Sequence, residues 1–186
     1  MKEAIKDDWE NWMDAYQNRK IYSDFTLEEL KAIPDNLILF AIEDFVIEKI
    51  ASEDLAEVYD KFKTLPVAHQ FIFAVRTFIS EVNNGGFDQF FFNSSSFFVK
   101  EAHAGLGRME AIDVMAILNK AMTLVYKDLN LLTKMKAGDL RVSITDPTIK
   151  AALTKLESEL KTDHIDGMMI AYVQQHLSEF VTASKN

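Results

Sequence analysis

Apolar residues recur at helical spacing along almost the whole chain. From about Lys2 to Asn18, the residues Ile5, Trp9, Trp12, Met13 and Tyr16 return every three or four positions, which predicts a helix with one apolar stripe. Thr26 to Glu29, TLEE, has capping-box spacing and opens a short helix that Pro34 must end or interrupt. Asp35 or Asn36 then caps a long helix to about Ala51, with Ile38, Ile42 and Phe45 on one face and Leu39, Val46 and Ile50 beside them. Ser52 starts the next helix, whose Leu55, Val58, Tyr59 and Phe62 face inward. Thr64 and Pro66 begin a helix that is apolar over more than half its circumference, through Ala68, Phe71, Ile72, Val75, Phe78, Ile79 and Val82. Only Gln70, Thr77 and Glu81 form a polar stripe on it, so it is expected to be a buried core helix.

That helix runs into EVNNGGFDQFFFN, residues 81 to 93, where Asn84, Gly85 and Gly86 supply backbone that takes positive φ at little cost and should stop it. A short aromatic helix follows to about Asn93, then a Ser94 to Ser96 cap and another helix to about Leu106, ended by Gly105 and Gly107. Ala111 to Asn130 reads as a long helix with Ile112, Met115, Leu118, Met122 and Val125 inward. A break follows from Ala137 to Pro147, with Gly138 as its C-cap. DLRVSIT within it alternates over too few residues to make a sheet and is read as a loop. The last third is two amphipathic helices. The first is capped by Asp146, opened by Pro147 and carries Ile149, Ala152, Leu153, Leu156 and Leu160. The second carries Met169, Tyr172, Val173, His176, Leu177 and Phe180, and the tail TASKN should fray. The sum is an all-α chain, a single-domain bundle of about eight helices. Nine of the fourteen Phe lie between residues 71 and 98, and this Phe-rich run is expected to be the core, each ring worth several kcal/mol of burial.

Composition agrees with that pattern. Six Gly and three Pro in 186 residues leave little material for the turns of an all-β fold. No Cys is present, which excludes disulfides and thiol chemistry and suits a reducing cytoplasm. The amino terminus is charged throughout and no run of 18 apolar residues occurs, so neither secretion nor membrane spanning is expected.

Charge changes the picture more. Residues 1 to 60 hold 16 Asp and Glu against 6 Lys and Arg, a balance of −10, while residues 61 to 186 hold 13 against 14, a balance of +1. The domain therefore divides into an acidic helical part, 1–60, and a near-neutral part, 61–186, that carries the glycine motif. Direct binding of nucleic acid is disfavoured for want of clustered Lys and Arg. A basic protein partner is favoured. The candidate partner-binding residues are Glu43, Asp44, Glu48, Glu53, Asp54, Glu57 and Asp60. Among them Glu53, Glu57 and Asp60 follow one another at i, i+4 and i+7, and carboxylates four residues apart rise about 6 Å along a helix axis, the scale of neighbouring phosphates on a DNA strand.

EVNNGGFDQFFFN and the helical AHAGLGRMEAIDVMAILNKAM after it resemble the signature of the bacterial DNA-mimic protein family, through Glu81, Asn84, Gly85, Gly86, Phe87, Gln89, Phe90, Phe91 and Asn93. The resemblance is specific from Glu81 to about Met122. It implies an all-helical, acidic, cytoplasmic protein that presents carboxylates where a DNA-binding regulator expects phosphates, and it brings no catalytic residue. One departure stands out: a dedicated mimic is acidic over much of its surface, whereas this chain is near neutral beyond residue 60.

Within the motif Glu81, Asn83, Asn84, Gly85, Gly86, Phe87, Asp88, Gln89, Phe90 and Asn93 are assigned to structure, their polar groups tying down helix ends around the turn. The rival assignment is a hydrolase-type enzyme using Glu81, Asp88 and Asn93, with His69 and His103 near them. Neutralisation of a basic toxin, as an immunity protein, is a neighbour of the mimic reading. The four His lack ligand spacing and are expected at surface or edge positions, so no metal and no cofactor is assigned. The Trp9 and Trp12 stripe permits a homodimer.

Overall fold

The structure, a computed structural model, describes residues 13–126 and 141–183. Among these residues all regular structure is helical and no strand occurs. Residues 13–17 are helical. Trp9, Trp12, Gly138 and the end of the helix expected to reach Asn130 lie outside the described residues.

Helix α1, Leu27–Ala32, begins at the capping box the sequence announced: Thr26 Oγ1 accepts from the Glu29 N–H at 3.2 Å and the Thr26 N–H donates to Glu29 Oε2 at 3.2 Å. Helix α2, Asp35–Ile50, turns Ile38, Leu39, Ile42, Phe45, Val46 and Ile50 inward. Pro34 occupies its N-cap position, so neither Asp35 nor Asn36 caps it. Helix α3, Leu55–Thr64, is capped by Asp54 and not Ser52, with Asp54 Oδ1 accepting from the Ala56 N–H at 2.9 Å. Starting there, it leaves its first residue Leu55 at the surface and buries Phe62 completely.

The central element is α4, Val67–Phe92. Its backbone leaves helical geometry at Gly85 and Gly86, so it is two helical segments meeting at a kink: the first stops at the glycines as the sequence predicts, and the aromatic one follows to Phe92. It packs against α2, α3, the following 3-10 turn Ser94–Phe98, α5 (Val99–Arg108) and α7 (Pro147–Glu159). Helix α6, Ile112–Tyr126, buries Val114, Ile117, Leu118, Ala121 and Met122, while Ile112 is exposed. The stripe is thus rotated from the one expected, because a helix apolar over most of its circumference does not fix by spacing which side faces in. Helix α8, Ile165–Gln175, and the 3-10 turn Leu177–Phe180 complete the described residues. Asp146 caps α7 as expected, through the Thr148 N–H at 2.8 Å. No helix among the described residues is long and apolar enough to cross a membrane.

The apolar core is one cluster, within which the rings gather in groups. Phe62, Phe73 and Phe98 form one group, with Phe62 and Phe98 centroids 4.5 Å apart. Phe78, Phe87, Phe90, Phe91 and Tyr126 form another. Two members of the Phe-rich run depart from it: Phe71 is half-buried and Phe92 is 60% exposed.

His69 also departs from expectation. It is 0% exposed, enclosed by Phe25, Phe45 and Phe180, and neither ring nitrogen has a hydrogen-bond partner among the described residues. Burial lowers its pKa from 6.5 to about 4, since the imidazolium cannot be solvated among rings. The unfolded chain therefore binds this proton first, and the stability contributed by the neutral ring is complete above pH 6.5 and drains away as pH falls towards 4. At its limit the loss is on the order of 3 kcal/mol. Urea unfolding of His69→Leu at pH 7 and pH 4.5 is expected to show a stability difference smaller than that of the wild type by most of this amount. Equal differences in the two proteins would remove His69 as the source.

Candidate functional site

Two neighbouring regions concentrate the polar side chains: the kink in α4 and the acidic corner where α2 meets α3. At the kink, Gly85 has φ −151° and ψ 20°, and Gly86 has φ 74° and ψ −175°. The second combination belongs to glycine alone. Gly86 also lets a distant carboxylate come close, since a Cβ there would collide with Glu157 Oε1. The Phe87 N–H donates to that same oxygen at 2.7 Å, so Glu157 of α7 caps the resumed helix, where an anion is favoured by the unpaired N–H groups and their dipole. At the other end of the segment the Phe91 carbonyl accepts from the Val142 N–H at 2.8 Å.

Across the kink, Glu81 gathers the motif's amides. Gln89 Nε2 donates to Glu81 Oε2 at 2.6 Å, and Asn93 Nδ2 donates to Oε2 and Oε1 at 3.0 and 3.2 Å. These bonds clamp the two halves of α4 at a fixed angle. Asp88 pairs instead with Lys150 of α7 at 2.9 Å, and Asn83 Oδ1 accepts from Thr162 Oγ1 at 3.3 Å. Asn84 is exposed, while Phe87 and Phe90 are buried. Every expected motif residue thus lies at the kink, but His69 does not join Glu81: it sits in the separate aromatic cage described above.

The Glu81 network is open to the surface. A hollow of about 360 Å³ on one side is lined by Glu43, Ile47, Glu81, Asn84, Gln89 and Asn93 among others. A second of about 490 Å³ on the other side includes Asp88, Gln89, Phe92, Asn93 and Lys150. Gln89 and Asn93 belong to both, forming the rib between them.

The acidic corner is less uniform than its sequence. Asp44 takes a two-pronged bond from Arg19, 2.6 Å to Nε and 2.9 Å to the terminal nitrogen, and Glu43 is 3.1 Å from Arg76. Both pairs are largely shielded, so these two carboxylates carry little free charge. Glu57 bonds the Ser52 hydroxyl at 2.5 Å and lies 3.0 Å from Lys61 Nζ, which together hold its carboxyl below the usual range, the hydroxyl contributing most. Because α3 starts at Leu55, Glu53 precedes the helix, and the expected ladder of Glu53, Glu57 and Asp60 loses its first rung. Glu48, Glu53 and Asp60 are exposed without an ion-pair partner among the described residues, and Asp54 is exposed and occupied only as a cap.

A third cluster escaped sequence reasoning. Glu101, 6% exposed, accepts from Lys63 Nζ at 2.8 Å and Tyr59 Oη at 3.2 Å, and Lys63 also donates to Gln70 at 2.8 Å. Lys63 and Tyr59 are 38 and 42 residues from Glu101 along the chain, and no local spacing announces them. Among the described residues no group of His, Cys, Asp and Glu is arranged to hold a metal ion.

Comparison with known families decides what the α4 motif belongs to. A sequence model described as DMP19-like protein matches residues 63–176, more than half the chain. The chain belongs to the DMP19-like protein family. No curated protein and no solved structure matches it. The DMP19-like segment runs from the last turn of α3 through α8 and takes in the whole of α4 with its kink, whereas the corner carboxylates from Glu43 to Asp60 precede it.

For this DMP19-like chain the kink should be the feature least tolerant of change. Gly86→Ala is expected to lower stability by on the order of 3 kcal/mol, from backbone strain and the displaced Glu157 carboxylate. Gly85 has a negative φ, so Gly85→Ala need only displace Gln89 from Glu81, a loss of about 1 kcal/mol. Chemical denaturation of the two variants tests the order, and equal losses would count against the glycine-only geometry at Gly86.

Proposed function

We propose that this protein is an acidic protein-binding module that occupies the DNA-binding surface of a basic regulator. The observation that carries the proposal is the set of exposed carboxylates at the α2 and α3 corner, Glu48, Glu53, Asp54 and Asp60, none with an ion-pair partner among the described residues. Membership of the DMP19-like family supports it, because the name of that family matches a family of DNA mimics. Glu43, Asp44 and Glu57 play a lesser part, since each already faces a cation of the same chain. Carboxylates in water interact with a basic face chiefly by long-range attraction, which speeds encounter and weakens as salt shortens the Debye length to about 8 Å at physiological ionic strength. Mimicry on this scale is confined to one corner, in keeping with the near-neutral balance of the chain beyond residue 60. An enzyme built on Glu81, Asp88 and Asn93 finds less support, because Glu81 has both oxygens engaged by amides and Asp88 faces Lys150.

The test is capture of partners from a bacterial lysate at low salt by the wild type and by a variant carrying Glu48→Gln, Glu53→Gln, Asp54→Asn and Asp60→Asn. Asn caps a helix about as well as Asp, so the variant should keep α3. A DNA-binding protein retained by the wild type, released by duplex DNA or by raised salt, and held at least about tenfold more weakly by the variant is the expected result. Retention indifferent to DNA and to the four substitutions would overturn the proposal.

A further inference from the structure

Two large apolar side chains stand exposed on either side of the Glu81 network. Ile47, 52% exposed, lines the hollow of about 360 Å³, and Phe92, 60% exposed, lines the hollow of about 490 Å³. Between them runs the rib of Gln89 and Asn93, whose amide NH₂ groups point at Glu81. An amide that donates in one direction offers its carbonyl in another, so the rib is rich in acceptors. Glu81 itself is neutralised by no cation: its described partners are amides alone. Of the acidic side chains on the walls, Glu43 is paired with Arg76 and Asp88 with Lys150, which leaves Glu81 without a cation among the described residues. Acceptors, an uncompensated carboxylate and two apolar edges in one line are complementary to a donor-rich, cationic and partly apolar ligand.

We propose that this double groove binds an extended segment of a partner protein in which arginine alternates with apolar residues, an arginine side chain reaching the Glu81 carboxylate and apolar side chains packing on Ile47 and Phe92. The inference rests on the protein-binding role proposed above and identifies the part of the partner that is held. An extended chain rises about 3.3 Å per residue and sends alternate side chains to the same side, which suits two hollows separated by a rib and lets its N–H groups meet the rib's amide oxygens. Arginine fits better than lysine, because one arm of its planar guanidinium can reach the acceptor site left on Glu81 Oε1 while its other donors meet the rib's amide oxygens, and because it also lies over an aromatic face such as that of Phe92. Glu48 follows Ile47 on α2, so the segment would leave the groove towards the acidic corner. Attraction at the corner and side-chain recognition in the groove would then act on one partner.

The probe is a fluorescein-labelled hexapeptide of alternating arginine and leucine, capped at both ends, with a glutamate–leucine hexapeptide as control. Binding is followed by fluorescence polarisation, and its location by the side-chain amide NMR signals of Gln89 and Asn93. The expected result is that the arginine peptide binds and moves those signals, that the glutamate peptide does neither, and that Phe92→Ser and Ile47→Ser each weaken binding about tenfold with unchanged thermal unfolding. Both side chains are exposed, so these variants should fold; Glu81→Gln, which keeps a hydrogen-bonding side chain and removes the charge, should weaken binding by at least as much. Undiminished binding by Phe92→Ser and Ile47→Ser, or signal changes confined to the α2 and α3 corner, would overturn the inference. The two proposals fail separately. Loss of the captured regulator on neutralising the corner, with groove variants behaving as wild type, sinks the groove alone. Peptide binding mapped to the groove, with the corner variant capturing partners normally, supports the groove and removes the corner.

Discussion

One bond, from the Phe87 N–H to the Glu157 carboxylate, and the glycine backbone that admits it, hold the rest of this protein in relation. The chain enters the core as a helix that buries Ile72, Val75, Phe78 and Ile79, changes direction at Gly86 and leaves as a helix that buries Phe87, Phe90 and Phe91. A straight helix could not place both sets of rings in the same interior. The kink leaves the N–H groups of the new segment unpaired, and a carboxylate from α7 answers one of them, so the bend and the docking of α7 stabilise each other. The Asp88 and Lys150 pair repeats the same tie one residue along.

The same bend produces the surface feature of most interest. Had α4 continued straight, Glu81, Gln89 and Asn93 would have been spread along a helix. The kink at the glycines brings the two amides onto one carboxylate, with a hollow on each side. Phe92, last residue of the kinked helix, is turned outward by that geometry while its neighbours Phe90 and Phe91 are turned in. The family match covers the bend and its polar residues from Glu81 to Asn93, whereas Glu43 and Ile47 on the other wall of the groove precede it.

Charge is organised on a second principle. The excess of carboxylates in the first sixty residues is partly absorbed by the molecule itself, with Asp44 held by Arg19 and Glu43 by Arg76 where α2 faces α4 and the preceding segment. Glu48 near the end of α2 and Glu53, Asp54 and Asp60 around α3 have no ion-pair partner among the described residues, while Glu57 faces Lys61. The negative surface left over is therefore smaller than the composition suggests and lies beside one wall of the groove. Adjacent attraction and shape are what a recognition surface needs, the first to bring a basic partner close and the second to select it.

Period and punctuation made the helices readable in advance: the capping box at Thr26, the Asp146 and Pro147 start, the α2 stripe and the Phe-rich centre all follow from interactions between residues a few positions apart. The motif was readable as a turn, because two adjacent glycines interrupt an apolar helix in few other ways; that Glu81 takes the Gln89 and Asn93 amides across it was not. Local sequence could not reveal that Glu157 answers Phe87 from 70 residues away, that His69 is enclosed by rings from three distant elements, or that Glu43 and Asp44 are already paired. Spacing along a chain decides which backbone bonds form within a helix. Which carboxylate meets which cation, and which phenylalanine is left in water, depends on how separately formed helices cross, and only the assembled tertiary structure determines that.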